Sequence, residues 1–153
     1  MDLILWRHAE AELLREGGSD LTRCLTRKGE RQALRMAEWL NHRLAASTRV
    51  LVSPALRARG TAAALGREVR IVDSIAPDAS VDALLRASRW PHATEPVLLV
   101  GHQPTLGQLA ALLLTGEAKP WAIKKGAVWW LRSRTRDGHS EVVLQAVQAP
   151  DFL

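Results

Sequence analysis

Arg7 and His8 interrupt the apolar run Leu3-Ile4-Leu5-Trp6, and Gly101-His102 follows Val97-Leu98-Leu99-Val100 in the same way. A third run, Val50-Leu51-Val52, stops at Ser53-Pro54, with Arg57 close behind. Two guanidinium groups grip the non-bridging oxygens of a phosphate through paired hydrogen bonds, which a lysine ammonium does not offer. Their charge also disfavours imidazolium, so a histidine set between them stays neutral and nucleophilic near pH 7. If the four side chains converge, His8 can attack phosphorus and carry the phosphoryl group covalently, dividing one displacement into two. His102 then donates to the charge that builds on the equatorial oxygens. That chemistry calls on no metal and no cofactor.

Convergence requires the three runs to be strands whose carboxyl ends share one edge, where open α/β sheets bind ligands. The remaining sequence predicts such a sheet. Thr26 is placed to cap a helix in which Ala33, Ala37, Leu40 and Leu44 form one apolar stripe. Ser53 as N-cap and Pro54 at the first helical position predict a second helix, ended by Gly66. Val69 to Val72 reads as a short strand, Asp73 to Ser80 as a loop, and Ser80 as the cap of a helix running from Val81 to about Arg89, where Trp90-Pro91 breaks it. Val97 to Val100 is uniformly apolar and is expected to be central. Leu106, Leu109, Ala110 and Leu113 give a helical stripe from Thr105 to the stop at Gly116. Ala127 to Leu131 and Glu141 to Val147 predict two strands joined across Asp137-Gly138. The polar stretch Glu10 to Arg23 predicts no element. Alternating strands and helices closed by a hairpin predict a three-layer α/β/α fold with a mostly parallel central sheet and an antiparallel edge.

Length and composition agree. A chain of 153 residues, 47% hydrophobic and 24% charged, suits one folded domain over residues 1–153. Its net charge of +5 and pI near 10.3 fit anionic partners. Cys24 is the only cysteine, which excludes an intramolecular disulfide and a four-thiolate metal site and fits a reducing compartment. No run approaches a membrane span, and the start of the chain lacks the basic lead-in of a signal peptide. The expectation is a cytoplasmic protein without a membrane partner.

The motifs resemble those of the histidine phosphatase superfamily, in particular its small phosphohistidine phosphatases. Arg7-His8-Ala9 looks like the Arg-His-Gly signature, with Ala in the last place. Ser53-Pro54-Ala55-Leu56-Arg57-Ala58 with Thr61-Ala62 looks like the second signature, whose Arg binds phosphate, and Gly101-His102-Gln103-Pro104 like the third. Asp20, Arg23, Leu25, Thr26 and Gly29 are similar to the segment that follows the first strand in these relatives. The resemblance implies a phosphoglycerate mutase-like fold and a metal-independent phosphatase. It implies His8 as nucleophile, Arg7, Arg57 and His102 as phosphate-holding catalytic residues, and Arg23, Ser53 and Gly101 as substrate contacts. Relatives that act on phosphate esters add a carboxylic acid to protonate the leaving group. Asp20, Asp73 and Asp78 are the candidates here, and Asp73 and Asp78 match no motif. A labile P–N bond with an imidazole leaving group needs less help, so phosphohistidine on a partner protein is the expected substrate, with Arg23 and Arg27 as a basic rim. A small phosphate ester or anhydride, or a non-catalytic phosphoprotein-binding role, are the alternatives.

Other chemistries are excluded on sequence. No Gly-x-Ser-x-Gly elbow accompanies Ser53 and His102, and no phosphate-binding Gly-Lys loop is present. His42, His92 and His139 lie in polar contexts and predict surface positions. Arg132, Arg134 and Arg136, near Lys124-Lys125, Trp129 and Trp130, predict a charged edge strand rather than a nucleic-acid surface. The oligomeric state is not legible.

Overall fold

The computed structural model describes residues 1–153. Its centre is a six-stranded sheet, in spatial order β3-β2-β4-β1-β5-β6. The strands are β1 (Asp2–Arg7), β2 (Arg49–Val52), β3 (Arg70–Ile71), β4 (Val97–Gly101), β5 (Val128–Arg136) and β6 (His139–Gln148). β3, β2, β4 and β1 run parallel, while β5 is antiparallel to β1 and β6 to β5. The expected mostly parallel sheet with an antiparallel margin is therefore the one that forms. β4 is buried along its whole length between β2 and β1, as its unbroken apolar run requires.

Alternation along the strands divides the core into two layers. Leu3, Leu5, Leu51 and Leu99 pack with Leu84 of α3 (Val81–Ser88) and with Leu106 and Leu109 of α4 (Thr105–Thr115). Ile4, Trp6, Val50, Val52, Leu98 and Val100 pack with Met36 and Leu40 of α1 (Arg27–Asn41) and Ala58 of α2 (Leu56–Ala63). Burying each large apolar side chain contributes roughly 1.5–3 kcal/mol, and these layers hold the strand ends in register.

Local signals act where expected. Thr26 Oγ1 accepts from Gly29 N at 2.9 Å, and Ser80 Oγ from Ala83 N at 3.1 Å, each capping its helix. A Cβ on Gly29 would overlap the Glu10 carbonyl oxygen, so glycine lets α1 lie directly against the chain leaving His8. Asp137 and Gly138 both adopt positive φ, 52° and 78°, the left-handed pair that a two-residue hairpin demands.

Several expectations are corrected. Ser53 and Pro54 do not start α2; the N-cap is Ala55, because the Ser53 hydroxyl is engaged by Ala55 N and His102 and the chain bends through Pro54 first. α2 closes at Ala63, so Gly66 follows the helix in a turn and adopts φ +65°. α1 ends at Asn41, leaving Leu44 buried just beyond it. Arg132, Arg134 and Arg136 do not form an edge, since β6 covers β5. Arg132 instead forks onto Asp2 across β1 at 2.6 and 3.0 Å, and Arg134 pairs with Glu141 of β6 at 2.6 Å. Within Glu10 to Arg23, Asp20–Thr22 forms a 3-10 turn, and Ala11 bridges Leu25. His42, His92 and His139 are exposed. No helix is long and apolar enough to cross a membrane.

Candidate active site

The carboxyl ends of β1, β4 and β2 are tied to one another through the main chain. His8 N donates to Gly101 O and Ser53 N to Val100 O, both at 3.1 Å. Arg7 O and His8 O both accept from Gly126 N, at 3.1 and 3.0 Å, which fixes the turn before β5 against the end of β1. Thr61 of α2 then bridges to the same point. Its hydroxyl accepts from Ala9 N at 3.0 Å and donates to Arg57 O at 2.7 Å. His8, Arg7, Arg57, His102 and Ser53 are thereby brought to one edge, as their positions after the apolar runs predict.

His8 is nearly buried, and its Nδ1 lies 2.7 Å from the Ala9 carbonyl oxygen. A carbonyl only accepts, so Nδ1 carries the proton and Nε2 keeps its lone pair. The His102 ring lies beside it, with centroids 5.2 Å apart. Ser53 Oγ accepts from Ala55 N at 3.2 Å and sits 2.7 Å from His102 Nε2. The hydroxyl hydrogen has no other acceptor, so it goes to Nε2 and leaves the His102 proton on Nδ1. Ser53 thus touches His102 and sets its tautomer.

Each arginine is anchored by a main-chain carbonyl. Arg7 Nη1 donates to Ile123 O at 2.9 Å, and Arg57 Nη1 to Asp20 O at 2.8 Å. Arg7 Nε, Arg57 Nε and His102 Nδ1 are buried without a hydrogen-bond partner. Buried donors are nearly always paired, so three orphans in one cluster mark a place built to receive acceptor oxygens. Gly101 contributes its carbonyl to His8 N; a Cβ there would make only ordinary contact with Leu106 at 3.7 Å, so close packing does not require the glycine.

Arg23 is half-buried, its Nε on Asp20 Oδ1 at 2.9 Å and its Nη1 on Glu12 O at 2.9 Å, while Arg27 is exposed. Of the three carboxylates considered as a general acid, only Asp20 is bonded into the site. Burial raises its pKa, but hydrogen bonds and charge from Arg23 and Arg57 outweigh this and hold it below the usual range. It is a carboxylate, unsuited to donating a proton. Asp73 and Asp78 are exposed and make no side-chain hydrogen bond or ion pair. The carbonyls of Ile123 and Asp20 carry no residue-type signal and are not predicted from sequence.

Burial lowers the pKa of His8 to about 4; its bond to Ala9 opposes this, and the charges of Arg57, Arg7 and Arg23 add to it. Burial, His8, Arg57 and Arg23 lower that of His102 to about 3, against a small rise from Asp20. Both rings are therefore neutral in the folded protein at pH values where a free imidazole, at 6.5, is protonated. In proton NMR the His8 and His102 ring signals should hold their neutral positions as pH falls from about 7 to about 5. Because both folded pKa values are depressed, their contribution to stability is complete above the unfolded value of 6.5 and lost as pH falls toward about 4 and then about 3. Ring signals that titrate with a midpoint near 6.5 would contradict this environment.

The arrangement gathers at one sheet edge an imidazole nitrogen with a lone pair free of a hydrogen bond and unpartnered cationic and neutral N–H donors, which is equipment for nucleophilic attack on a phosphoryl group. Residues 3–82 match the family model described as Histidine phosphatase superfamily (branch 1), a stretch that includes Arg7, His8 and Arg57 and ends before His102. The chain is similar to the phosphohistidine phosphatase SixA of Escherichia coli K12, with 33% identity over 129 residues, 78% of each chain. Its fold superposes on the structure of a protein histidine phosphatase SixA complexed with tungstate, with TM-score 0.78, 28% identity and 99% of each chain covered. A phosphohistidine phosphatase SixA structure from Nakamurella multipartita, so described provisionally, gives TM-score 0.79 and 29% identity over 97% of this chain and 95% of that one. The family model matched over residues 3–82, together with these relatives on the same sheet architecture, shows that the chain belongs to the histidine phosphatase superfamily.

Proposed function

We propose that this protein is a phosphohistidine phosphatase acting on a phosphorylated protein, through a covalent intermediate on His8. The observation that carries this reading is the His8 ring, fixed through Nδ1 by Ala9 so that Nε2 keeps its lone pair, at the sheet edge that also holds three buried, unpartnered N–H donors. The substrate imidazole is first protonated by solvent on its other ring nitrogen; Nε2 then attacks phosphorus, the substrate P–N bond breaks, and its electron pair leaves with the ring as neutral imidazole. Water then attacks phospho-His8, releasing inorganic phosphate and restoring the ring. Arg7, Arg57 and His102 hold the equatorial oxygens in both steps.

The absence of a protonated carboxyl in hydrogen-bond contact with the site bears on substrate choice. An alkoxide leaving group needs a proton at departure, whereas an imidazole is a far better leaving group once protonated. The names of the SixA relatives support the same substrate class. The test is phosphate release, in EDTA, from a phosphohistidine peptide and a matched phosphoserine peptide. Turnover of the first alone is expected. Equal turnover of both would replace this reading with that of a general phosphomonoesterase, and phosphate binding without turnover would point to a binding module.

A further inference from the structure

Asp20 holds Arg57 from one side only. Its carbonyl oxygen accepts from Nη1 at 2.8 Å and its Oδ2 from Nη2 at 3.0 Å, an end-on clamp reaching across 37 residues of chain. Arg57 Nε, on the adjacent side of the guanidinium, is buried without a partner. The clamp therefore uses the end of the fork and leaves its Nε–Nη2 side open, the side that takes two oxygens of a phosphate at once. Asp20 Oδ1 simultaneously accepts from Arg23 Nε at 2.9 Å, so one carboxylate joins two arginines.

We propose that Asp20 is the positioning residue that aims Arg57 at the phosphoryl group. Two effects of the carboxylate compete. Its charge repels an incoming phosphate, and its hydrogen bonds orient the fork. Asp20 is 45% exposed whereas the Arg57 side chain is 4% exposed. The carboxylate charge is screened by water, while the orientation it imposes acts inside a buried site. Orientation is the larger effect.

The inference rests on the reading of Arg57 as a phosphate-binding residue, and the experiment separates the two. Inorganic phosphate is titrated calorimetrically into wild type, Asp20→Ala, Asp20→Asn, Arg57→Ala and the Asp20→Ala/Arg57→Ala double variant. Asp20→Ala should bind phosphate about tenfold more weakly, although it removes a negative charge. Asp20→Asn, which keeps one acceptor oxygen, should recover part of that loss. Asp20→Ala should add little to the loss already caused by Arg57→Ala, because both act through one guanidinium. Unchanged or tighter phosphate binding by Asp20→Ala overturns the proposal, as does a full Asp20→Ala effect in the Arg57→Ala background. If Arg57→Ala binds phosphate as wild type does, the reading of Arg57 falls and this inference with it.

Discussion

His8→Ala should fold, bind phosphate and release none from a phosphohistidine peptide, with turnover reduced by about 10⁴ or more. The size of the effect follows from the site's composition. Arg7, Arg57 and His102 supply donors that stabilise charge, and no other nitrogen with a lone pair free of a hydrogen bond is placed with them. His102 does not substitute, since its Nε2 is occupied by Ser53 and its Nδ1 carries the proton. The matching observation on wild type is a phosphoryl group trapped on the protein after a rapid quench in base, mapped by mass spectrometry to His8. Residual turnover in His8→Ala within tenfold of wild type, or a phosphoryl group trapped on another residue, would remove His8 from the nucleophile's role.

Arg57→Ala should lower kcat/KM by about 10²–10³, the usual cost of removing a donor aimed at developing transition-state charge. Arg57→Lys should rescue little of it. The guanidinium does three things at once: Nη1 meets the Asp20 carbonyl, Nη2 meets the Asp20 carboxylate, and Nε stays open toward the pocket. A single ammonium makes at most a point contact with either partner. Steady-state kinetics on the phosphohistidine peptide, with phosphate as product inhibitor, decide this. A lysine variant with half the wild-type kcat/KM would mean that charge alone suffices and that the fork geometry is incidental.

Much of the fold was legible because the signals are local. Thr26, Ser80 and Gly116 mark helix ends through the chemistry of their own turns, and Asp137-Gly138 closes its hairpin because these two residues tolerate positive φ. The apolar runs before Arg7, Ser53 and Gly101 became adjacent parallel strands, so the residues following each run met at one edge. Signals failed where a side chain had a distant claim on it. Ser53 reads as a helix cap, yet its hydroxyl bonds His102, 49 residues away. The arginines of β5 read as an edge, yet β6 covers that strand and Asp2 and Glu141 take two of their charges.

The sequence by itself determined which functional groups the site contains and that they share a sheet edge, because residue type and hydrophobic pattern are properties of short stretches. Only the tertiary structure decided which atoms face the pocket. The free nitrogen of His8 is chosen by the Ala9 carbonyl, the proton of His102 by Ser53, and the open sides of Arg7 and Arg57 by the carbonyls of Ile123 and Asp20. Most of these partners are main-chain oxygens, which every residue carries, and three of the four side chains find theirs far along the chain. No local pattern encodes such contacts, and they exist only once the strands and loops have packed.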